Sequence, residues 1–193
     1  MPRPPRLLVR FGLYHVMAKG AVNQAVFRDD DDRTRFLILL GQVVRSLDWS
    51  LLAYCLMTTH YHLLVRTPEA DLHRGMQRLN GCYGQGFNRR HGQQGHVFYR
   101  RYHSLLVTRE AHLLELFRYF AWNPVRAGAC DKPADWPWSS YAGLVASDEA
   151  PPIVGADGAL TFFGSDPTVA RGRLREFVER SPVEDLRAFR HGV

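Results

Sequence analysis

The stretch from Leu51 to Arg66 constrains this chain more than any other. Leu51–Met57 is an unbroken apolar run of strand length, Thr58-Thr59 offers a turn, and Tyr61–Arg66 resumes an extended pattern. Two such runs separated by so little chain predict neighbouring strands. The second run opens on His60-Tyr61-His62. Side chains alternate across a strand, so residues i and i+2 leave the same face, and the two imidazoles stand side by side. Neutral imidazole is a common ligand of divalent cations, which makes the pair a candidate grip. Alone it is weak evidence, because most strand histidines are simply hydrogen-bonded within a core or at a surface.

Other elements follow from periodicity. Leu13–Ala18 reads as a strand closed by Gly20. Asp29–Asp32 precede an apolar series at Phe36, Leu37, Leu40, Val43, Val44 and Leu47. Acidic groups complement the dipole at a helix N-terminus, so this charge run is better read as a helix start than as a metal site. Leu72, Met76, Leu79, Tyr83 and Phe87 step at helical spacing, although Gly75, Gly81, Gly84 and Gly86 lie among them. Each glycine weakens an exposed helix interior by roughly 1 kcal/mol relative to Ala, unless its smallness lets something pack closely. His103–Thr108 predicts a further strand, and Thr108 a cap for a helix from about Arg109 to Trp122. Leu113, Leu116, Phe117 and Phe120 form its buried stripe, with Glu115, Tyr119, Trp122 and Asn123 on another face. Asn123 precedes Pro124, a position that commonly ends a helix.

The order strand, helix, strand, strand, helix, strand, helix contains a β-α-β-β-α-β unit. The expected fold is α+β, a ferredoxin-like (split βαβ) antiparallel sheet with helices on one face. Beyond Tyr141 the texture changes. Pro151, Pro152, Gly155 and Gly158 suggest a linker, and Val169–Arg180 a short basic amphipathic helix. The expected division is a catalytic domain over 1–147 and a C-terminal extension over 148–193.

Composition narrows the partners. With 25 Lys+Arg against 19 Asp+Glu the net charge is +6, which favours a polyanion. Lys19 and Lys132 are the only lysines, and arginine's planar fork suits phosphate oxygens and base stacking. Cys55, Cys82 and Cys130 are widely spaced, which excludes a C-x-x-C cage and fits a reducing compartment. The basic start lacks an apolar segment typical of a signal peptide, and no apolar run approaches the ~18 residues of a membrane span. A cytoplasmic, nucleoid-associated protein with no membrane partner is expected.

Tyr119 and Asn123 are four residues apart and share a helical face. Two strand histidines facing a tyrosine and a carboxamide suggest cation-assisted attack by the tyrosine on a phosphodiester. Each residue has a plainer explanation, the tyrosine as packing and the asparagine as a helix end. Their order and combination raise the odds.

Between Tyr14 and Tyr141 the motifs accumulate: Tyr14-His15-Val16, Lys19-Gly20, Val26-Phe27, Ala53–Met57, His60–Leu64, Gly95–Phe98, Arg101-Tyr102, Arg118-Tyr119, Asn123–Gly128 and Trp136–Tyr141. In this order they resemble the REP-associated tyrosine transposases, a branch of the single-tyrosine HUH nucleases. The resemblance implies that His60 and His62 are metal ligands, Asn123 the third protein ligand, and Tyr119 the nucleophile. It implies Mg²⁺ or Mn²⁺ as cofactor and single-stranded DNA beside a hairpin as substrate. The expected chemistry is endonuclease cleavage and strand transfer through a 5′-phosphotyrosine. Lys19, Arg89, Arg90, Arg100, Arg101 and Arg126 are the candidate DNA contacts. A homodimer is one assembly the resemblance raises, with the site completed within one copy or between two. Two rival functions remain: a non-catalytic nucleic-acid-binding module, and a metal-dependent nuclease that uses water.

Overall fold

In the structure, a computed structural model, residues 8–21, 24–146 and 153–180 are described. Four strands build one antiparallel sheet: β1 (Gly12–Lys19), β2 (Ser50–Leu56), β3 (His60–Thr67) and β4 (His103–Leu106). Their spatial order is β2-β3-β1-β4, the order of the expected split βαβ unit. The helices are α1 (Asp30–Ser46), α2 (Leu72–His91), α3 (Glu110–Arg126), α4 (Tyr141–Val145), α5 (Ala156–Leu160) and α6 (Pro167–Glu179), with a 3₁₀ turn at Pro133–Asp135. No helix among the described residues is long and apolar enough to cross a membrane.

Strand alternation gives the sheet two faces with different tasks. Tyr61 sits opposite Ala18 on β1 and Leu56 on β2, and turns toward α1 and α2. There its ring meets Phe36 at 4.7 Å and its hydroxyl donates to Asn80 at 2.7 Å. Phe27, Phe36 and Tyr83 complete an aromatic cluster on that side, all fully buried. Burying each such side chain contributes roughly 1.5–3 kcal/mol. His62, one residue on, faces the other way, opposite Met17 and Cys55. With His15 it packs against Phe120 of α3, at ring separations of 5.5 and 5.3 Å. The two crossover helices thus share a face, while α3, which follows the β-α-β-β-α-β unit, covers the opposite one.

The acidic run begins α1, as the sequence suggests. Asp29 is the N-cap, accepting from the Asp32 N–H at 3.0 Å, and Asp30–Asp32 fill the first turn. The same carboxylates bind the end of α2: Arg90 reaches Asp29, Asp31 and Asp32 at 2.6, 3.0 and 2.7 Å. His91 Nε2 lies 2.9 Å from Asp32. Two of the α2 glycines permit close approach. A Cβ at Gly75 would overlap the Trp49 indole, and one at Gly86 would fall 2.7 Å from the Arg35 guanidinium. Gly81 meets nothing within 4 Å, so no neighbour requires it to be small.

Several boundaries differ from expectation. Arg109, not Thr108, precedes α3, without a side-chain cap. The helix also runs past Trp122 and through Pro124 to Arg126. Proline's fixed φ is compatible with a helix, but it lacks the N–H and its ring crowds the carbonyl four residues back. Bonds from the Ala127 N–H to Asn123 O (3.1 Å) and the Ala129 N–H to Pro124 O (2.9 Å) continue the turn. Helix α6 braces it: the Trp122 indole N–H donates to Val178 O at 2.8 Å, and Arg118 donates to Phe177 O at 2.8 and 3.1 Å. Of the expected linker, Pro151 and Pro152 lie outside the described residues, whereas Gly158 belongs to α5. The Gly155 N–H bonds to Leu51 O at 3.0 Å, which ties this segment to β2. Helix α6 starts at Pro167, two residues before the expected Val169, because Asp166 caps it by accepting from the Val169 N–H.

Candidate active site

Three elements bring five polar side chains together. His60 and His62 leave β3 on the face toward α3, their rings 5.0 Å apart and nearly perpendicular. Tyr119, 6% exposed, sets its ring edge-on to His62 at 5.1 Å. One helical turn later, Asn123 Nδ2 lies 3.4 Å from His62 Nε2. From β1, His15 Nε2 comes within 3.0 Å of His62 Nδ1, with both imidazoles buried.

One assignment of protons satisfies both contacts. With the Asn123 amide in this orientation its nitrogen donates, and His62 Nε2 accepts without a proton of its own. The His62 proton is then on Nδ1, donated to His15 Nε2. Nε2, the nitrogen turned toward Asn123, keeps its lone pair.

Electrostatics agree with neutral rings. Burial pushes His60 down to about 4; Lys19 acts in the same sense, and a hydrogen bond with Asn123 opposes it. Burial, with smaller contributions from His112 and His103, takes His15 down to about 3. His62 is pushed well below its ordinary value by burial, then by His60 and His15. Two uncharged imidazoles therefore converge with a carboxamide whose half-turn would substitute Oδ1 for Nδ2. Such a nitrogen, nitrogen and oxygen set fits a divalent cation.

The other candidates divide by face. Lys19, exposed, is the register partner of His60, and Arg126 is exposed three residues beyond Asn123. Arg100 and Arg101 are exposed on the chain entering β4. Arg89 and Arg90 belong to α2, across the sheet from the histidines, and Arg90 is held in its three ion pairs. Asp29, Asp32 and His91 also gather three donor atoms, but the Arg90 guanidinium already lies among them. Tyr83 is turned away from the histidines, its hydroxyl donating to Val26 O in the α1/α2 core. His15 is the residue whose role sequence reasoning did not assign. The available signal was its polarity within Leu13–Ala18, while its partner became visible only with the β1–β3 register.

Set beside known proteins, this architecture has the fold of a tyrosine transposase. A solved REP-associated tyrosine transposase, described as bound to a REP hairpin, matches with a TM-score of 0.65, covering 79% of this chain and 90% of that one at 18% identity. More particularly, residues 11–121 match the family described as "Transposase IS200 like", and the chain belongs to that family. A Haemophilus influenzae protein described as a REP-associated tyrosine transposase is 27% identical over 100 residues. That match takes in 46% of this chain and spans 57% of the relative's length.

Proposed function

We propose that this chain cuts and rejoins single-stranded DNA beside a hairpin, with Tyr119 as nucleophile. The observation that carries the reading is the convergence of Tyr119 and Asn123 from α3 on His62 from β3, with His60 beside it. Tyr119 would attack phosphorus, giving up its hydroxyl proton, while the 3′ oxygen leaves. The products are a 5′-phosphotyrosine and a free 3′-hydroxyl. One phosphodiester replaces another, so the step reverses without ATP, and attack by a second 3′-hydroxyl completes strand transfer. His60, His62 and Asn123 would hold Mg²⁺ or Mn²⁺, which when bound neutralises phosphate charge and polarises phosphorus. The neutral imidazoles keep their lone pairs for that purpose, and the edge-on contact with His62 orients the phenol ring. Lys19, Arg100, Arg101 and Arg126 would meet the phosphate backbone. Because Tyr119 and His62 touch within one chain, a single copy can complete the site, although a homodimer remains compatible with it.

The test is a labelled hairpin with a single-stranded flank, incubated with Mn²⁺ and resolved under denaturing conditions. A protein–DNA adduct is expected, mapped to Tyr119 by peptide mass and absent from Tyr119→Phe. Nicked product without an adduct would instead support the water-using nuclease, and binding alone the non-catalytic module.

A further inference from the structure

We infer that Tyr99, with Arg100 stacked on it, is a platform for one unpaired base of the strand entering the site. This rests on the single-stranded DNA reading above. Of the eight tyrosines, all among the described residues, only Tyr99 is exposed, at 53%. Its position is set by the backbone. Phe98 forms an antiparallel bridge with Gly20, and the Tyr99 N–H donates to Lys19 O at 2.9 Å. Tyr99 therefore stands opposite Lys19, which in turn stands opposite His60. The three form one row across the sheet, and two strand spacings put the Tyr99 and His60 backbones roughly 10 Å apart.

Phe98 enters the α1/α2 core, with its ring 5.8 Å from Tyr61 and 6.1 Å from Tyr83. The next residue, Tyr99, begins a bend and is exposed beside Lys19, the register partner of His60. The Arg100 guanidinium lies over its ring, 4.9 Å from the centroid. Lys19 and Arg101, both exposed, flank the pair with positive charge. An exposed aromatic ring with a stacked arginine, bordered by cations, is the chemistry of single-stranded nucleic-acid grooves. Bases stack on such a ring while the cations follow the phosphates. An apolar peptide would make poor use of this combination, since the surrounding charge is cationic.

The experiment uses the full chain in a Tyr119→Phe background, so that bound DNA is not cut. Hairpins carry 2-aminopurine at successive positions of the single-stranded flank, and a control hairpin lacks the flank. Unmodified Tyr99 and Tyr99→Phe should quench one or two adjacent positions. Tyr99→Ala should lose that quenching and bind the flanked hairpin on the order of 5- to 100-fold more weakly, with flankless binding unchanged. Tyr99→Leu, which keeps bulk without a π face, should behave like the alanine variant. Unchanged quenching and affinity in Tyr99→Ala, or equal weakening toward both hairpins, would overturn the platform while leaving the parent reading intact. Failure of the Tyr119→Phe protein itself to bind the flanked hairpin would overturn both.

Discussion

Replacing His15 by Leu would isolate what the His15–His62 contact does. The bond is 3.0 Å long, and the two residues are 3% and 1% exposed, so no water can take over the lost acceptor. Leaving the His62 Nδ1–H unpaired should cost about 1–3 kcal/mol of folding stability. The second effect is orientational. The hydrogen bond holds the His62 proton on Nδ1 and its lone pair on Nε2, and loss of such supporting bonds typically lowers metal affinity by about 10- to 100-fold. Two measurements separate these effects: urea unfolding without metal, and calorimetric Mn²⁺ titration of the folded protein. His15→Leu should fall in both, while His15→Gln, whose Oε1 can accept from Nδ1, should recover much of the Mn²⁺ affinity. If His15→Leu loses stability yet binds Mn²⁺ like the unaltered protein, His15 is a packing residue and the positioning argument is wrong.

Other consequences can be checked as simply. Burial pushes folded His15 down to about 3, His60 to about 4 and His62 well below its ordinary value, whereas unfolded imidazoles lie near 6.5. Below pH 6.5 the unfolded chain therefore binds the extra protons, and stability should fall toward pH 4 by up to about 1.4 kcal/mol per unit for each ring. Urea midpoints at pH 7 and pH 5 would show it, and a flat profile would refute neutral rings. Gly75→Ala, which drives a methyl into Trp49, should destabilise by about 1–3 kcal/mol, whereas Gly81→Ala should stabilise by about 0.4–1 kcal/mol. Thermal melts that fail to separate these two variants would contradict the packing described for α2. Arg90→Ala should lower the melting temperature but leave the salt dependence of DNA binding unchanged. A shallower salt slope would show that Arg90 meets phosphate despite its ion pairs.

How much the sequence disclosed depended on how local each signal was. The β2–β3 hairpin and the same-face histidines follow from alternation over a dozen residues, and they stand as expected. The shared face of Tyr119 and Asn123 needed only helical periodicity. Its continuation through Pro124 was not legible, because the support comes from α6, more than fifty residues away. The aspartates at the start of α1 were readable as a helix start, yet nothing local indicated that they would bind Arg90. A surface arginine's partner is a tertiary fact. The same holds for His15, whose neighbour is set by which strands pair and in what register.

The segment Trp136–Ser140 has a bearing on assembly. An open sheet leaves unpaired amides and carbonyls along its margins, ready to template a strand from another chain. On the β2 side the chain seals that margin itself: the Leu56 N–H bonds to Trp138 O, the Ser140 N–H to Tyr54 O, and the Gly155 N–H to Leu51 O. The opposite margin is β4, only four residues long. Growth of the sheet by edge-to-edge addition is therefore closed on its long side and confined to a short one. That is the pattern by which natural sheets resist fibrous aggregation without becoming closed barrels.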